Sequence, residues 1–455
     1  MSELKVIARH AATVLVGQLA VMAFGVADTM IAGRYSDTAL AALSVGSAIY
    51  ISVYVGLIGI VQALLPVWAE MLGAGKHSAI GRSLRQGLYL CGFITLAGMA
   101  ALLFPAALLR WAQVPASMIT EVENYLTVLA FAFAPAILFR LYSTFNQSLG
   151  KPVLVTWLQV GALGIKIPLS MWLVAGGAGF EPMGAVGCAW ATLVVNYLLV
   201  LLAFVMLRTQ AMYQAFQIWR PMEIPDWPVI GHFARLGLPG GLAYLVEVTS
   251  FTLMALFIAR LGTSASASHQ IAASMAAVLY MLPLSMAIAC SARVSFWLGA
   301  GKADLAKRVV WLGLRLTALI SAALAATLLI ASSYIASLYS TNPAIIAMAA
   351  SLLGWVAAYH LADSAQAVCA FLLRCYGVTI APLVIYGVLL WGLGLYGGYL
   401  LTYEGMAGVA ARPIPASFWA VSTTALWLVA ISFMALLWRT VRKISNPGAS
   451  KNHPA

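Results

Sequence analysis

The chain alternates between long apolar runs and short breaks rich in glycine, proline and basic residues. Crossing the hydrocarbon of a bilayer as a helix takes about 20 residues at 1.5 Å each. By that measure twelve stretches are predicted to span a membrane: 11–33, 40–66, 84–109, 119–142, 152–175, 184–207, 233–259, 266–294, 308–338, 345–373, 381–402 and 416–438. Several exceed the minimum, which implies tilt or extension beyond the membrane. Gly73-Ala74-Gly75-Lys76, Gly176-Gly177-Ala178-Gly179 and Gly299-Ala300-Gly301-Lys302 supply breaks. Pro66, Pro135, Pro168, Pro239 and Pro283 fall within spans or near their ends. Kinks are tolerated there if neighbouring helices satisfy the freed carbonyls.

Composition sharpens this pattern. Of 455 residues, 63% are apolar and 8% charged, against about 45–50% and 25% in soluble domains. That excludes an ordinary soluble enzyme, a disulfide scaffold and a disordered chain. The five cysteines lie inside apolar stretches, without a C-x-x-C pair. A net charge of +12 would suggest nucleic acid if it formed a stripe, but the basic residues sit between apolar runs, as in a polytopic membrane protein with basic cytoplasmic loops. With the N-terminus inside, 20 of the 25 Lys and Arg fall at cytoplasmic ends. Only Arg34, Arg110, Arg260 and Arg412 fall outside, and Lys166 lies within a span. Both termini are therefore expected in the cytoplasm, with the chain embedded as a multi-pass protein of a bacterial inner membrane.

An internal repeat is visible. Leu72-Gly-Ala-Gly-Lys76 recurs as Leu298-Gly-Ala-Gly-Lys302, and at the same offset Arg34 matches Arg260 and Gly87 matches Gly313. Six spans per copy is an even number, so the two copies share one topology. The expected fold is all-α: twelve transmembrane helices in two six-helix lobes related by a pseudo-two-fold axis along the membrane normal. The lobes are expected at 1–207 and 233–440, with a cytoplasmic linker at 208–232 and a cytoplasmic tail at 441–455.

Two nucleotide-binding patterns fail. Gly73-Ala-Gly75-Lys76 lacks the first glycine of a P-loop, since position 70 is Glu70. Gly392-x-Gly394-x-x-Gly397 lies inside a span, where small residues allow close helix packing. No nucleotide and no cofactor are expected, so active transport would run on an ion gradient.

The informative groups are ionisable residues at membrane depth, where a charge costs at least ~2.5–3.5 kcal/mol. Glu247 lies 12 residues from Arg235 and 13 from Arg260, about 18–20 Å from each end of its helix. Asp363 lies 11 residues from Arg374, about 16 Å deep. Two carboxylates converging in low dielectric cannot both ionise freely, so they invite a proton or a metal cation such as Na⁺. Tyr280 is a further candidate, as a phenol can bond a carboxylate or face a cation with its ring. Met22, Met30, Met254, Met275, Met281 and Met286 lie in spans that would line a cleft, where flexible polarisable side chains suit varied ligands. Asp28 lies six residues from Arg34, about 9 Å deep. Lys166 comes within about one helical turn of its height, so an Asp28–Lys166 ion pair is expected inside the N-terminal lobe. The fixed ammonium would occupy a niche that a mobile ion could otherwise use.

The sequence resembles the multidrug and toxic compound extrusion family, in particular its NorM-like branch. The likeness rests on Val26-Ala-Asp-Thr-Met-Ile-Ala-Gly-Arg34, Leu72-Gly-Ala-Gly-Lys76, Leu236-Gly-Leu-Pro239 with Glu247, His269-Gln-Ile-Ala272, Tyr280-Met-Leu-Pro283, Ala362-Asp-Ser-Ala-Gln366 and Leu373-Arg-Cys-Tyr-Gly377. The resemblance implies an antiporter; the chain is expected to be a monomer and not an enzyme. It would export cationic amphiphilic small molecules from a lipid environment in exchange for Na⁺ or H⁺, by alternating access. It further implies that Glu247 and Asp363 hold the coupling cation, that Tyr280 neighbours them, and that Asp28 is the N-lobe carboxylate. One stretch departs. Where the family usually presents Asn-Ile-Pro-Leu-Asn, this chain reads Lys166-Ile-Pro-Leu-Ser170. A lipid or lipid-linked oligosaccharide flippase is the alternative, but it would want several basic residues in the cleft, and the spans offer only Lys166. An intramembrane enzyme would need a motif such as H-E-x-x-H, which is missing.

Overall fold

The computed structural model describes residues 2–106, 109, 116–177, 179, 181–405 and 408–445. Arg110, Ala178, Lys451 and most of the expected tail lie outside the described residues. Twelve helices are long and apolar enough to cross a membrane. They are α1 (Glu3–Tyr35), α2 (Asp37–Gly73), α3 (His77–Leu103), α4 (Met118–Ser148), α5 (Val153–Ala175), α6 (Ala185–Thr209), α7 (Trp227–Ala259), α8 (Thr263–Gly299), α9 (Ala303–Tyr339), α10 (Pro343–Cys375), α11 (Ile380–Tyr403) and α12 (Pro415–Lys443). Their ends differ from the predicted spans because helices stop at caps, not where hydropathy falls. Thus α1 begins at Glu3 and α3 ends at Leu103 instead of 109. In α2 the helix breaks at Ala63. Pro66 three residues on lacks an N–H and its ring crowds the carbonyl four residues back. In α11 residues Gly387–Gly397 wind as a π-helix through a glycine-rich stretch, a form that inserts extra backbone into a helix.

The repeat is visible in the caps. At the ends of α2, α4, α8 and α10 the chain stops on Gly75, Gly150, Gly301 and Gly377, with φ between 68° and 75°, a left-handed turn open to glycine. The N–H after each glycine donates back to the carbonyl five residues earlier: Lys76 to Met71, Lys151 to Asn146, Lys302 to Trp297 and Val378 to Leu373, at 2.9–3.0 Å.

By contacts the chain forms two compact units: Ala12–Gly241, and Leu242–Ala455 together with Met1–Ala11. This division falls within α7 and not in the 208–232 stretch. The first residues join the C-terminal unit because Arg293 grips Glu3 bidentately, both bonds at 2.7 Å. In the N-terminal unit α4 is the central helix, packed on α2, α3 and α6; in the C-terminal unit α10 holds that place against α8, α9 and α12.

The segment after α6 is strapped to the N-terminal unit. A 3₁₀ turn (Ala211–Phe216) buries Tyr213 and Phe216, with the Tyr213 hydroxyl donating to Asn146 Oδ1 at 2.7 Å. Arg85 forks onto Glu223 and donates to the Gln217 carbonyl at 2.8 Å. Arg82 reaches Asp226 at 3.1 Å, and the Tyr89 hydroxyl donates to the Glu223 carbonyl at 2.7 Å. The Arg85 hydrogen bond holds the Glu223 carboxyl down at about 2.

Close helix approach makes a test. A Cβ on Gly187 of α6 would lie 2.7–2.8 Å from the backbone of Leu173 and Val174 on α5, whereas Gly92 has nothing within 4 Å. Gly187→Ala is expected to lower the melting temperature of purified protein by several degrees. Gly92→Ala should leave it unchanged or raise it, since alanine favours a helix by about 0.5–1 kcal/mol.

Candidate functional site

The C-terminal unit gathers its acids around one amide. Asp363 sits on the central helix α10, buried at 4% exposure. One turn on, Gln366 donates from Nε2 to Asp363 Oδ1 at 2.8 Å. Its Oε1 accepts the Tyr386 hydroxyl from α11, and Glu247 from α7 lies within electrostatic reach of the same amide. One buried amide thus ties Asp363 to a phenol beside Glu247. Glu247 and Asp363 are within electrostatic reach of each other. Tyr280, Tyr359 and Tyr386 each lie within reach of both. Among the described residues neither carboxylate has a salt-bridge partner.

A small pocket opens beside Glu247. Ser250, Phe251 and Met254 of α7, Tyr359 of α10, Leu390, Gly394 and Leu395 of α11, and Trp419 and Ser422 of α12 form its wall. Phe251, Tyr359 and Trp419 stand edge-to-face in all three pairings, with centroids 5.6–6.2 Å apart. Trp391 Nε1 donates to the Val246 carbonyl at 3.2 Å, bracing α7 next to Glu247. The donors presented here are carboxylate, hydroxyl and phenol oxygens, which suit a hard cation or a proton.

The N-terminal unit handles its acid differently. Lys166 Nζ of α5 lies 2.9 Å from Asp28 Oδ2 of α1, and donates to Thr192 Oγ1 of α6 at 2.8 Å. Ser170 donates to Asp28 Oδ1 at 3.1 Å. Thr192 hands its own proton to the Cys188 carbonyl at 2.9 Å. Lys166 is 1% exposed and Asp28 8%, so the pair is desolvated, with a hydrogen-bond partner on each carboxylate oxygen.

The structure therefore brings Glu247, Asp363 and Tyr280 together in one unit, and Asp28 with Lys166 in the other. The methionines scatter. Met254 lines the cavity and Met286 is packed in the interior. Met30 is 55% exposed, and Met22, Met275 and Met281 are half-buried. Periodicity alone could not tell these environments apart. Gln366, Tyr359, Tyr386, Trp419 and Thr192 were missed as site residues. Only Gln366 carried a sequence signal, its spacing of three from Asp363 on one helical face.

Twelve helices long and apolar enough to cross a membrane, with acidic side chains packed among them, describe a polytopic membrane protein. The chain belongs to the MatE family, whose model matches residues 14–172 and 239–400. It is 37% identical over 440 residues to "Probable multidrug resistance protein NorM" of Aromatoleum aromaticum, covering 96% of this chain and 94% of that one. It is 31% identical over 444 residues to "Multidrug resistance protein PmpM" of Pseudomonas aeruginosa, covering 97% and 92%. In fold it is similar to a multidrug resistance MATE family transporter of the MOP superfamily solved in an outward-facing conformation. That likeness has a TM-score of 0.87 at 15% identity over 98% of this chain and 97% of the other.

The desolvated pair has a double-mutant signature. Removing one partner of a buried pair costs roughly 3–5 kcal/mol, while replacing both can be near neutral. Asp28→Asn and Lys166→Gln should each reduce folded yield, and the double variant should recover much of it. Losses that simply add in thermal unfolding would show that the 2.9 Å contact contributes no coupling.

Proposed function

We propose that this chain is a multidrug efflux transporter that exports cationic amphiphilic molecules in exchange for inward Na⁺ or H⁺. It works as a monomer in a bacterial inner membrane with both termini cytoplasmic, its two six-helix units alternating access. The observation that carries the reading is the pairing of buried Asp363, held by Gln366, with half-buried Glu247 on the pocket wall, both ringed by phenols with no basic partner among the described residues.

Such a site is electrostatically incomplete. Two carboxylates in low dielectric repel each other, and each alone is costly to ionise. One bound monovalent cation, with the second carboxyl protonated, relieves both problems and leaves the site close to neutral. A cationic drug cannot share that neutralised surroundings equally well, so cation binding favours drug release and drug binding favours cation release. That reciprocity is the thermodynamic core of exchange. The aromatic wall of Phe251, Tyr359 and Trp419 gives an approaching cation favourable ring faces before it meets Glu247. A flippase for a pyrophosphate-bearing lipid would need free basic groups at depth. Lys166, the lysine at that depth, is already bonded to Asp28 and Thr192.

Everted vesicles energised with Na⁺ or H⁺ gradients imposed separately provide the test. Glu247→Gln or Asp363→Asn should reduce gradient-driven dye efflux to background while the protein still accumulates. Full gradient-driven efflux by Glu247→Gln would overturn the assignment. Tyr280→Phe keeps the ring, and its efflux should fall by no more than about fivefold, the worth of one hydrogen bond near 1 kcal/mol. Tyr280→Ala should fall further. Unchanged efflux and ion dependence in Tyr280→Ala would reduce that residue to packing.

A further inference from the structure

Counted from the repeat arginines and from the helix ends, the Asp28–Lys166–Thr192 cluster takes the positions of three residues on the wall of the Glu247 pocket. Asp28 lies six residues before Arg34, as Met254 lies six before Arg260. Lys166 lies nine residues before Ala175, the end of α5, as Gly394 lies nine before Tyr403, the end of α11. Thr192 lies seven residues after Ala185, the start of α6, as Ser422 lies seven after Pro415, the start of α12. The side chains agree with this register. In the N-terminal unit Lys166 joins Asp28 to Thr192. In the C-terminal unit Ser422 Oγ donates to Met254 Sδ at 3.7 Å, and a Cβ on Gly394 would lie 3.8 Å from Ser422 Cα.

Met254, Gly394 and Ser422 are all wall residues of the cavity beside Glu247. Where the C-terminal unit has a glycine on the wall of a pocket, the N-terminal unit has a lysine that is 1% exposed and among the bulkiest buried side chains. We propose that Lys166 is a tethered cation that plugs the N-terminal counterpart of the Glu247 cavity and so confines exchangeable monovalent cations to the C-terminal unit.

The chemistry of the plug is specific. Nζ meets a carboxylate oxygen and a hydroxyl oxygen, a contact set that a free primary ammonium or an alkali cation could also satisfy. Removing the side chain beyond Cβ leaves a slot shaped for n-propylammonium, lined by Asp28, Ser170 and Thr192. A ligand that binds the folded protein alone raises its melting temperature in proportion to its occupancy of the site.

Purified full-length Lys166→Ala is therefore expected to melt roughly 5–15 °C below the parent protein, as for a broken buried pair. n-Propylammonium chloride should restore at least half of that loss. The rescue should be absent in Asp28→Asn/Lys166→Ala. A Lys166→Ala protein that ignores n-propylammonium, or a response that persists without the Asp28 carboxylate, overturns the plug. If Lys166→Ala does not accumulate, Glu247→Gln/Asp363→Asn decides. With Lys166 in place, its melting temperature should not respond to Na⁺ or n-propylammonium at constant ionic strength. A response there that disappears on adding Asp28→Asn overturns the assignment. Because the readout is unfolding and not efflux, the role of Lys166 is decided independently of the Glu247 transport variants.

Discussion

The cost of an unbalanced carboxylate in a medium without water governs this molecule. Each acid at membrane depth must find a proton, a cation or a fixed positive side chain. The chain uses two different answers in two copies of one design. Asp28 is balanced by Lys166 and tied to α5 through Ser170, while Lys166 carries the link on to Thr192 of α6. Glu247 and Asp363 are left with an amide and phenols, partners that orient them without cancelling their charge. The first arrangement holds structure. The second leaves two acids without a fixed counter-charge among the described residues.

The repeat explains how such different sites arise without different folds. Central helices α4 and α10 end on matching glycine turns with matching backward hydrogen bonds, and both organise their own six-helix unit. Within that shared frame, one side chain at a time sets the local electrostatics. Lysine at 166 and glycine at 394 occupy comparable positions on α5 and α11. The π-helical stretch Gly387–Gly397 surrounds the glycine and not the lysine. Absence of a side chain and loosened backbone winding occur together where a cavity is needed.

Much of this was legible in the sequence, because the signals were of the right physical kind. A span needs a minimum apolar length, so the twelve helices could be counted. A deep acid is rare, so Glu247, Asp363 and Asp28 stood out, and helical rise alone brought Asp28 to the height of Lys166. What stayed hidden depends on rotation about a helix axis, which residue counting does not resolve. Tyr359 and Tyr386 look like any membrane tyrosine until packing turns them toward the acids, and the exposed Met30 looks like the cavity-lining Met254. The strap from Arg82, Arg85 and Tyr89 onto residues 217–226 was also hidden. Its partners lie more than 130 residues apart and form no periodic pattern. The boundary within α7 follows contacts of the same long-range kind.

The glycine turns have one more consequence. In three of the four, the residue directly after the glycine is a lysine: Lys76, Lys151 and Lys302. The same few residues therefore terminate a helix and deposit the positive charge that biases a short loop toward the cytoplasm. Helix length and membrane address are written in a single short word. A six-helix segment copied with that word carries its own topological signal with it.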